Sequence, residues 1–287
     1  MRVLLAFTCS LFVLSACNGQ SESLIQQSVK EDGKQNLDGR PAVEEPKELS
    51  KPVESKSGDA FAILGAEQIH INALLGKTKP STNLDFIEVP QNMANRPGMW
   101  LHRSAFAAFK KMRTKAKEEE VVLTIISATR TFNQQKSIWE RKWTGAKKVG
   151  GMDLSVSISD PAKRAKKILE YSSMPGTSRH HWGTDIDINS LNNQYFTTGK
   201  GKKEYVWLRD NAYKFGFCQP YSPKGEERLD GYEMEKWHWS YMPVAKEYLM
   251  WYTKKVKAEN LNGFKGADAL PFDEVVKYVT GISSDCK

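Results

Sequence analysis

The chain predicts an α+β fold, a small mixed or antiparallel sheet flanked by helices in a single domain. Two patterns place strands: the near-continuous β-branched run Val121-Val122-Leu123-Thr124-Ile125-Ile126, and the strict alternation Thr184-Asp185-Ile186-Asp187-Ile188. A third pattern places a helix: Phe106, Phe109, Met112 and Ala116 recur at three- and four-residue steps within residues 101–120.

The amino terminus reads as an appendage to that domain. Met1-Arg2 leads an apolar run to Leu14, too short to span a membrane as a mature helix, so residues 1–16 are expected to be a secretory leader. The leader ends in Leu14-Ser15-Ala16-Cys17, which looks like a bacterial lipobox and makes Cys17 the expected lipid-bearing first residue. Residues 18–58 contain no aromatic and are rich in Glu, Lys, Gln, Ser and Pro, so they cannot bury enough surface to offset chain entropy. Residues 17–58 are therefore read as a lipidated tether and 59–287 as the domain. As a flexible coil the tether would span roughly 35 Å. Of the four cysteines, Cys9 goes with the leader and Cys17 takes lipid, which leaves Cys218 and Cys286 as an expected disulfide in an oxidising compartment. The formal charge of +8 suits an anionic membrane or wall polymer and equally a solvated lysine-rich surface. With an exported chain and no recognised nucleic-acid motif, nucleic acid is not an expected partner, and a monomer is expected.

Within the domain, residues 59–77 read as a short helix or wrapping segment with His70 structural. The helix at 101–120 has His102 at its entrance as a capping or surface residue. The run 121–126 reads as a central strand buried on both faces, delivering Ser127 to Arg130 at its end. Thr131 and Gln134 then have capping-box spacing for a new helix, whose Trp139 and Trp143 are core candidates. Arg130 is thereby held at a strand-to-helix junction, where a planar guanidinium can clamp a carboxylate or stabilise an oxyanion. The loop through Gly145, Gly150 and Gly151 is long enough to be a lid or pocket wall. Ser159-Asp160-Pro161 opens another helix, with Pro161 in its first turn and Lys163, Arg164, Lys166 and Lys167 clustered on it. Helices are also expected at 204–215, from Pro243 to about Val256 and at 271–280, with an extended piece at 216–218 and a hairpin or loop at 225–231.

The chemistry concentrates in two segments. On a strand, Ile186 and Ile188 face a core while Asp185 and Asp187 face the other way; His180 precedes Gly183 and would be presented from a loop. About fifty residues later comes Glu235-Lys236-Trp237-His238, where Glu235 and His238 share a side only on a helical turn or bent backbone. Two histidines and one carboxylate leave a fourth position on Zn²⁺ open for water, and an unliganded carboxylate can act as that water's base. His180, Asp187 and His238 are the expected ligands and Glu235 the base. His181 could exchange roles with His180, and Asp185 could accept from a ligand imidazole.

Ser178-x-His180-x-x-Gly183-x-x-x-Asp187 followed by Glu235-x-Trp237-His238 resembles the zinc D-alanyl-D-alanine carboxypeptidases and dipeptidases of the vancomycin-resistance type. The resemblance covers roughly residues 100–245 and includes Ser127 to Gln135. It implies the same ligands and base, substrate-binding roles for Arg130 and Gln135, and peptidoglycan stem peptides as substrates. Ser178 and Arg179 join Arg130 and Gln135 as candidates for holding the terminal carboxylate or the oxyanion. The family often has Glu where Arg179 stands and Ala where Asp185 stands, so the substrate pocket is expected to differ. The readings outside a D,D-carboxypeptidase are an L,D-carboxypeptidase or endopeptidase of the same fold, and a wall-binding module with a structural zinc. Decay to a binding module usually removes a ligand or the base, and here all four positions are filled.

Overall fold

The computed structural model describes residues 69–287; the expected leader, Cys17, the tether and the start of the domain lie outside the described residues. His70 caps the single-turn helix α1 (Ile71–Leu74), its Nδ1 accepting from the Asn72 N–H at 3.2 Å. A small antiparallel ladder follows, β1 (Phe86–Glu88) against β2 (Trp100–His102), with Ile87 opposite Leu101. Helix α2 (Arg103–Glu118) starts only after that ladder. The expected start at 101 is thus corrected, because Leu101, fully buried, belongs to β2 while His102 caps the helix by accepting from the Ser104 N–H.

The main sheet has four antiparallel strands: β3 (Ile125–Ser127), β4 (Asp185–Ile188), β5 (Phe217–Cys218) and β6 (His238–Tyr241), in the spatial order β3-β4-β6-β5. The run 121–126 is therefore not the central strand that its β-branched residues predict. It lies at one edge of the sheet, and only its last two residues, Ile125 and Ile126, are regular strand. The physical reason is in its burial. Val121, Leu123 and Ile125 are buried against α2 while Val122 is 47% exposed, so the run has one apolar face where the sequence suggested two.

Between β3 and β4 lie α3 (Phe132–Trp143), α4 (Leu154–Ser157) and α5 (Pro161–Leu169). The capping box at α3 forms as the spacing predicts: Gln134 N–H donates to Thr131 Oγ1, and Thr131 N–H to Gln134 Oε1. Asp160 caps α5 by accepting from the Ala162 and Lys163 N–H groups, with Pro161 in the first turn where its missing N–H leaves no bond unmade. Helix α6 (Gly199–Asn211) begins five residues before the expected 204, and α7 (Met242–Lys255) and α8 (Phe272–Thr280) close the chain. Among the described residues no helix is long and apolar enough to cross a membrane.

Two apolar cores result. Ile186, Ile188, Trp239 and Phe217 on one face of the sheet pack with Phe106, Phe109 and Met112 of α2 and Trp207 and Leu208 of α6. Full burial of each isoleucine stabilises by roughly 1.5–3 kcal/mol. The second core gathers Trp139, Ile168, Trp182, Tyr252 and Val279 from α3, α5, α7, α8 and the turn before β4. The polar face of the sheet, carrying Asp185, Asp187, His238 and Ser240, belongs to neither core. Cys218 of β5 and Cys286 form a disulfide with a Cα separation of 5.8 Å, tying the last residues of the chain to the sheet.

Candidate active site

Strand pairing brings the two sequence-distant halves together. In the β4/β6 ladder Asp187 stands directly opposite His238, and Asp185 opposite Ser240, so all four point to the polar face. A turn of 3-10 helix, Arg179–Trp182, delivers His180 to the same place. It is closed by Gly183 at φ 72°, where an added Cβ would run into the Phe86 ring and lie 2.9 Å from the His102 nitrogen. Glu235 precedes β6 in irregular backbone, as its spacing to His238 requires.

The three expected ligands form a buried triangle whose ligand atoms all lie within 4.8 Å of one another. His180 Nε2 is 3.4 Å and His238 Nδ1 3.3 Å from Asp187 Oδ1. His180 Nε2 and Asp187 Oδ1 are buried without any hydrogen-bond partner, a costly arrangement for polar atoms unless a cation sits between them. This donor set, two imidazole nitrogens and a carboxylate oxygen, fits Zn²⁺. The opposite nitrogens are fixed. His180 Nδ1 donates to the Ala128 carbonyl at 2.9 Å, which leaves Nε2 as the lone-pair nitrogen, and His238 Nε2 donates to Asp185 Oδ2 at 2.8 Å, which leaves Nδ1.

His181, the alternative to His180, is structural. Its Nδ1 donates to the Arg130 carbonyl at 2.6 Å and its Nε2 accepts from the Gly176 N–H at 3.1 Å, so neither nitrogen is free. Burial lowers its pKa to about 3, which keeps it neutral.

Asp185 anchors a second buried network. Its Oδ1 accepts from Ser240 Oγ at 2.7 Å and Thr184 Oγ1 at 2.8 Å, and its Oδ2 from Arg179 Nε at 3.1 Å as well as from His238. Burial pushes its pKa up, but Arg179 and His238 outweigh this and hold it well below the usual carboxylate range. Arg179 and Asp185 are thus partners of each other. The Arg179 guanidinium also donates to Ser240 Oγ at 2.6 Å and lies over the Trp182 ring, while its Nη1 is buried without a partner.

Glu235 lies beside the triangle, with Oε2 3.2 Å from His238 Nδ1, and burial raises its pKa. Arg130 reaches in from the end of β3: Nη2 meets Asp187 Oδ2 at 3.0 Å, Nη1 meets Gln135 Oε1 at 3.1 Å and Nε meets Ser127 Oγ at 3.1 Å. Gln135 is fully buried and donates to the Ser173 carbonyl, so it positions Arg130. Ser178 Oγ is buried at the cleft with no partner. All of this opens on a cleft of about 580 Å³ that reaches past Ser127, Tyr171, Trp237 and Lys142. Tyr221, whose ring stands edge-on to His238 at 4.7 Å, and Lys142 are cleft residues that sequence reasoning missed. A signal for Lys142 existed: with Gln135 and Ile138 it recurs at positions i, i+3 and i+7, one face of α3.

A carboxylate and two imidazoles converging on one point, with a further carboxylate beside them at the floor of an open cleft, define a mononuclear metallohydrolase class of site. The family model for VanY, D-alanyl-D-alanine carboxypeptidase, matches residues 98–244, and the chain belongs to that family. Among its relatives is YodJ of Bacillus subtilis (strain 168), provisionally named a carboxypeptidase, 34% identical over 149 residues that make up 50% of this chain and 46% of YodJ. Another is the D-alanyl-D-alanine carboxypeptidase of Enterococcus faecalis (strain ATCC 700802 / V583), 29% identical over 45% of this chain and 43% of that one. The matched part is thus less than half the length of either relative. Of the solved structures, that of the LdcB LD-carboxypeptidase is 26% identical with a TM-score of 0.45, covering 63% of this chain and 81% of that chain.

Proposed function

We propose that this chain is a zinc carboxypeptidase that trims D-Ala-containing peptidoglycan stem peptides. The observation that carries the reading is the placement of Glu235, within 3.2 Å of a ligand nitrogen yet outside the ligand triangle. Family membership supports the reaction class, and the relative named as a D-alanyl-D-alanine carboxypeptidase supports the substrate class.

His180 Nε2, Asp187 Oδ1 and His238 Nδ1 would hold the zinc. When bound, Zn²⁺ supplies an acidified water and polarises a carbonyl. Glu235 accepts the proton of the attacking water and returns it to the leaving amine, a task for which burial has brought its pKa up from the ordinary value. Arg130, held by Gln135, Ser127 and Asp187, keeps a positive charge at the cleft wall for the oxyanion or the terminal carboxylate. Ser178, with its unpartnered hydroxyl, is available to the same end. The domain works in the cell envelope, anchored through lipid on Cys17 and lifted from the membrane by residues 18–58. Cys17→Ser is then expected to release it into the soluble exported fraction; a wild type found soluble and unlipidated refutes the anchor.

Incubating the zinc-loaded protein with defined tetra- and pentapeptide stems, and weighing the products by mass spectrometry, tests the activity. Loss of one D-Ala from the pentapeptide is expected. Cleavage of the tetrapeptide alone would make it an L,D-enzyme, and zinc retained with every stem intact would favour a wall-binding module.

A further inference from the structure

Apart from Arg130 and Arg179, the cleft is lined by the cations Arg96, Arg141, Lys142 and Lys147. Arg179 is neutralised by Asp185, and Arg130 lies against Asp187. Lys142 differs from both. It projects from α3 on the same face as Gln135, is half-buried in the cleft wall, and its one hydrogen-bond partner is the Ser172 hydroxyl. No carboxylate among the described residues lies within ion-pair distance of it. Burial, with Lys147 and Arg130 close by, outweighs the pull of the Glu235 carboxylate beyond ion-pair distance and lowers its pKa to about 8. Lys147, exposed on the loop that follows α3, adds a second charge to the same wall. An unpaired ammonium in the wall of a substrate cleft is unfavourable unless something anionic binds there.

We infer that Lys142, assisted by Lys147, binds a carboxylate of the peptide substrate. This rests on the proposed function and names a recognition element within it. Stem peptides can present a carboxylate at the C-terminus or on the side chain of a diamino acid, and Lys142 offers the same chemistry to either.

The test uses full-length, zinc-loaded protein carrying Glu235→Gln, so that binding is measured without turnover. Three pentapeptides, each with the second-position glutamate carboxylate amidated, are titrated calorimetrically: one with diaminopimelate at the third position, one with lysine there, and the lysine peptide amidated at its C-terminus. Lys142→Met is expected to weaken binding of the first roughly 10- to 100-fold, the range of a charge-assisted hydrogen bond, with zinc content unchanged. Lys142→Arg is expected to restore most of it. If the effect of Lys142→Met disappears with the lysine peptide, the side chain supplies the carboxylate; if it persists there and disappears with the amide, the C-terminus does. An effect of equal size on all three peptides, or no effect on the first, overturns the inference. Tight binding of these peptides by a wild type that cleaves none of them would overturn the proposed function and leave the role of Lys142 standing.

Discussion

Glu235→Gln preserves the size of the side chain and removes its capacity to accept a proton. Turnover of a stem peptide is expected to fall by roughly 10² to 10⁴, with zinc content near wild type because Glu235 lies outside the ligand triangle. Elemental analysis beside a rate measurement checks both halves, and loss of zinc in this variant would make Glu235 a ligand. His180→Ala, Asp187→Ala and His238→Ala should each empty the site, since three ligands become two. His181→Ala should instead retain zinc and lower stability by about 1–3 kcal/mol, because it strips partners from the Arg130 carbonyl and the Gly176 N–H. Asp185→Ala has two consequences. His238 loses the carboxylate that orients its ring, for which zinc affinity measured by chelator competition should drop roughly 10- to 100-fold. Arg179 loses its buried counterion, which should destabilise the domain by about 3–5 kcal/mol. Arg179→Met in the same protein should recover stability but not zinc affinity; recovery of both would mean that Asp185 acts on the metal site only through general stability.

At the scale of elements, the position of His180 depends on the turn that precedes β4. Gly183 has the left-handed backbone that ends this turn, and a side chain there meets both the Phe86 ring and the His102 backbone. Gly183→Ala is therefore expected to lower the melting temperature and, by shifting the 3-10 turn, to weaken zinc binding; unchanged values for both would show that β1 and β2 yield to the methyl group without disturbing the site. The capping box of α3 and the irregular backbone at Glu235 were both readable, because each depends on residues three apart. The place of β3 in the sheet was not. A run of β-branched residues has the same local preference at an edge as at the centre, and only the exposure of Val122 separates the two. The β1/β2 ladder also escaped, since three-residue strands are too short for a period to register.

Over the whole molecule, the Cys218–Cys286 bond closes a span of 68 residues containing Glu235, His238, α7 and α8. Chain entropy for a loop of that length gives roughly 4 kcal/mol of stabilisation, so guanidinium unfolding with reductant should show a matching loss. A loss below about 1 kcal/mol would mean that the reduced, unfolded chain keeps residual structure across this loop. The site sits between the polar face of the sheet and that core, which explains how residues as deeply buried as Asp187, 1% exposed, can line an open cleft.

From the sequence alone came the zinc chemistry, the residues proposed as ligands and base, and the alternation that turns Asp185 and Asp187 away from the core. These follow from residue type and short-range spacing, which the local backbone preserves. Only the tertiary structure decided how His180 and His181 divide their roles, because that depends on which nitrogens the Ala128 and Arg130 carbonyls and the Gly176 N–H occupy. It likewise decided that Arg179 faces Asp185, and that Lys142 stands in the cleft with no carboxylate of the described residues at ion-pair distance. Charges far apart in sequence find or miss their partners through strand register and helix rotation, and neither is encoded in the spacing of a single segment.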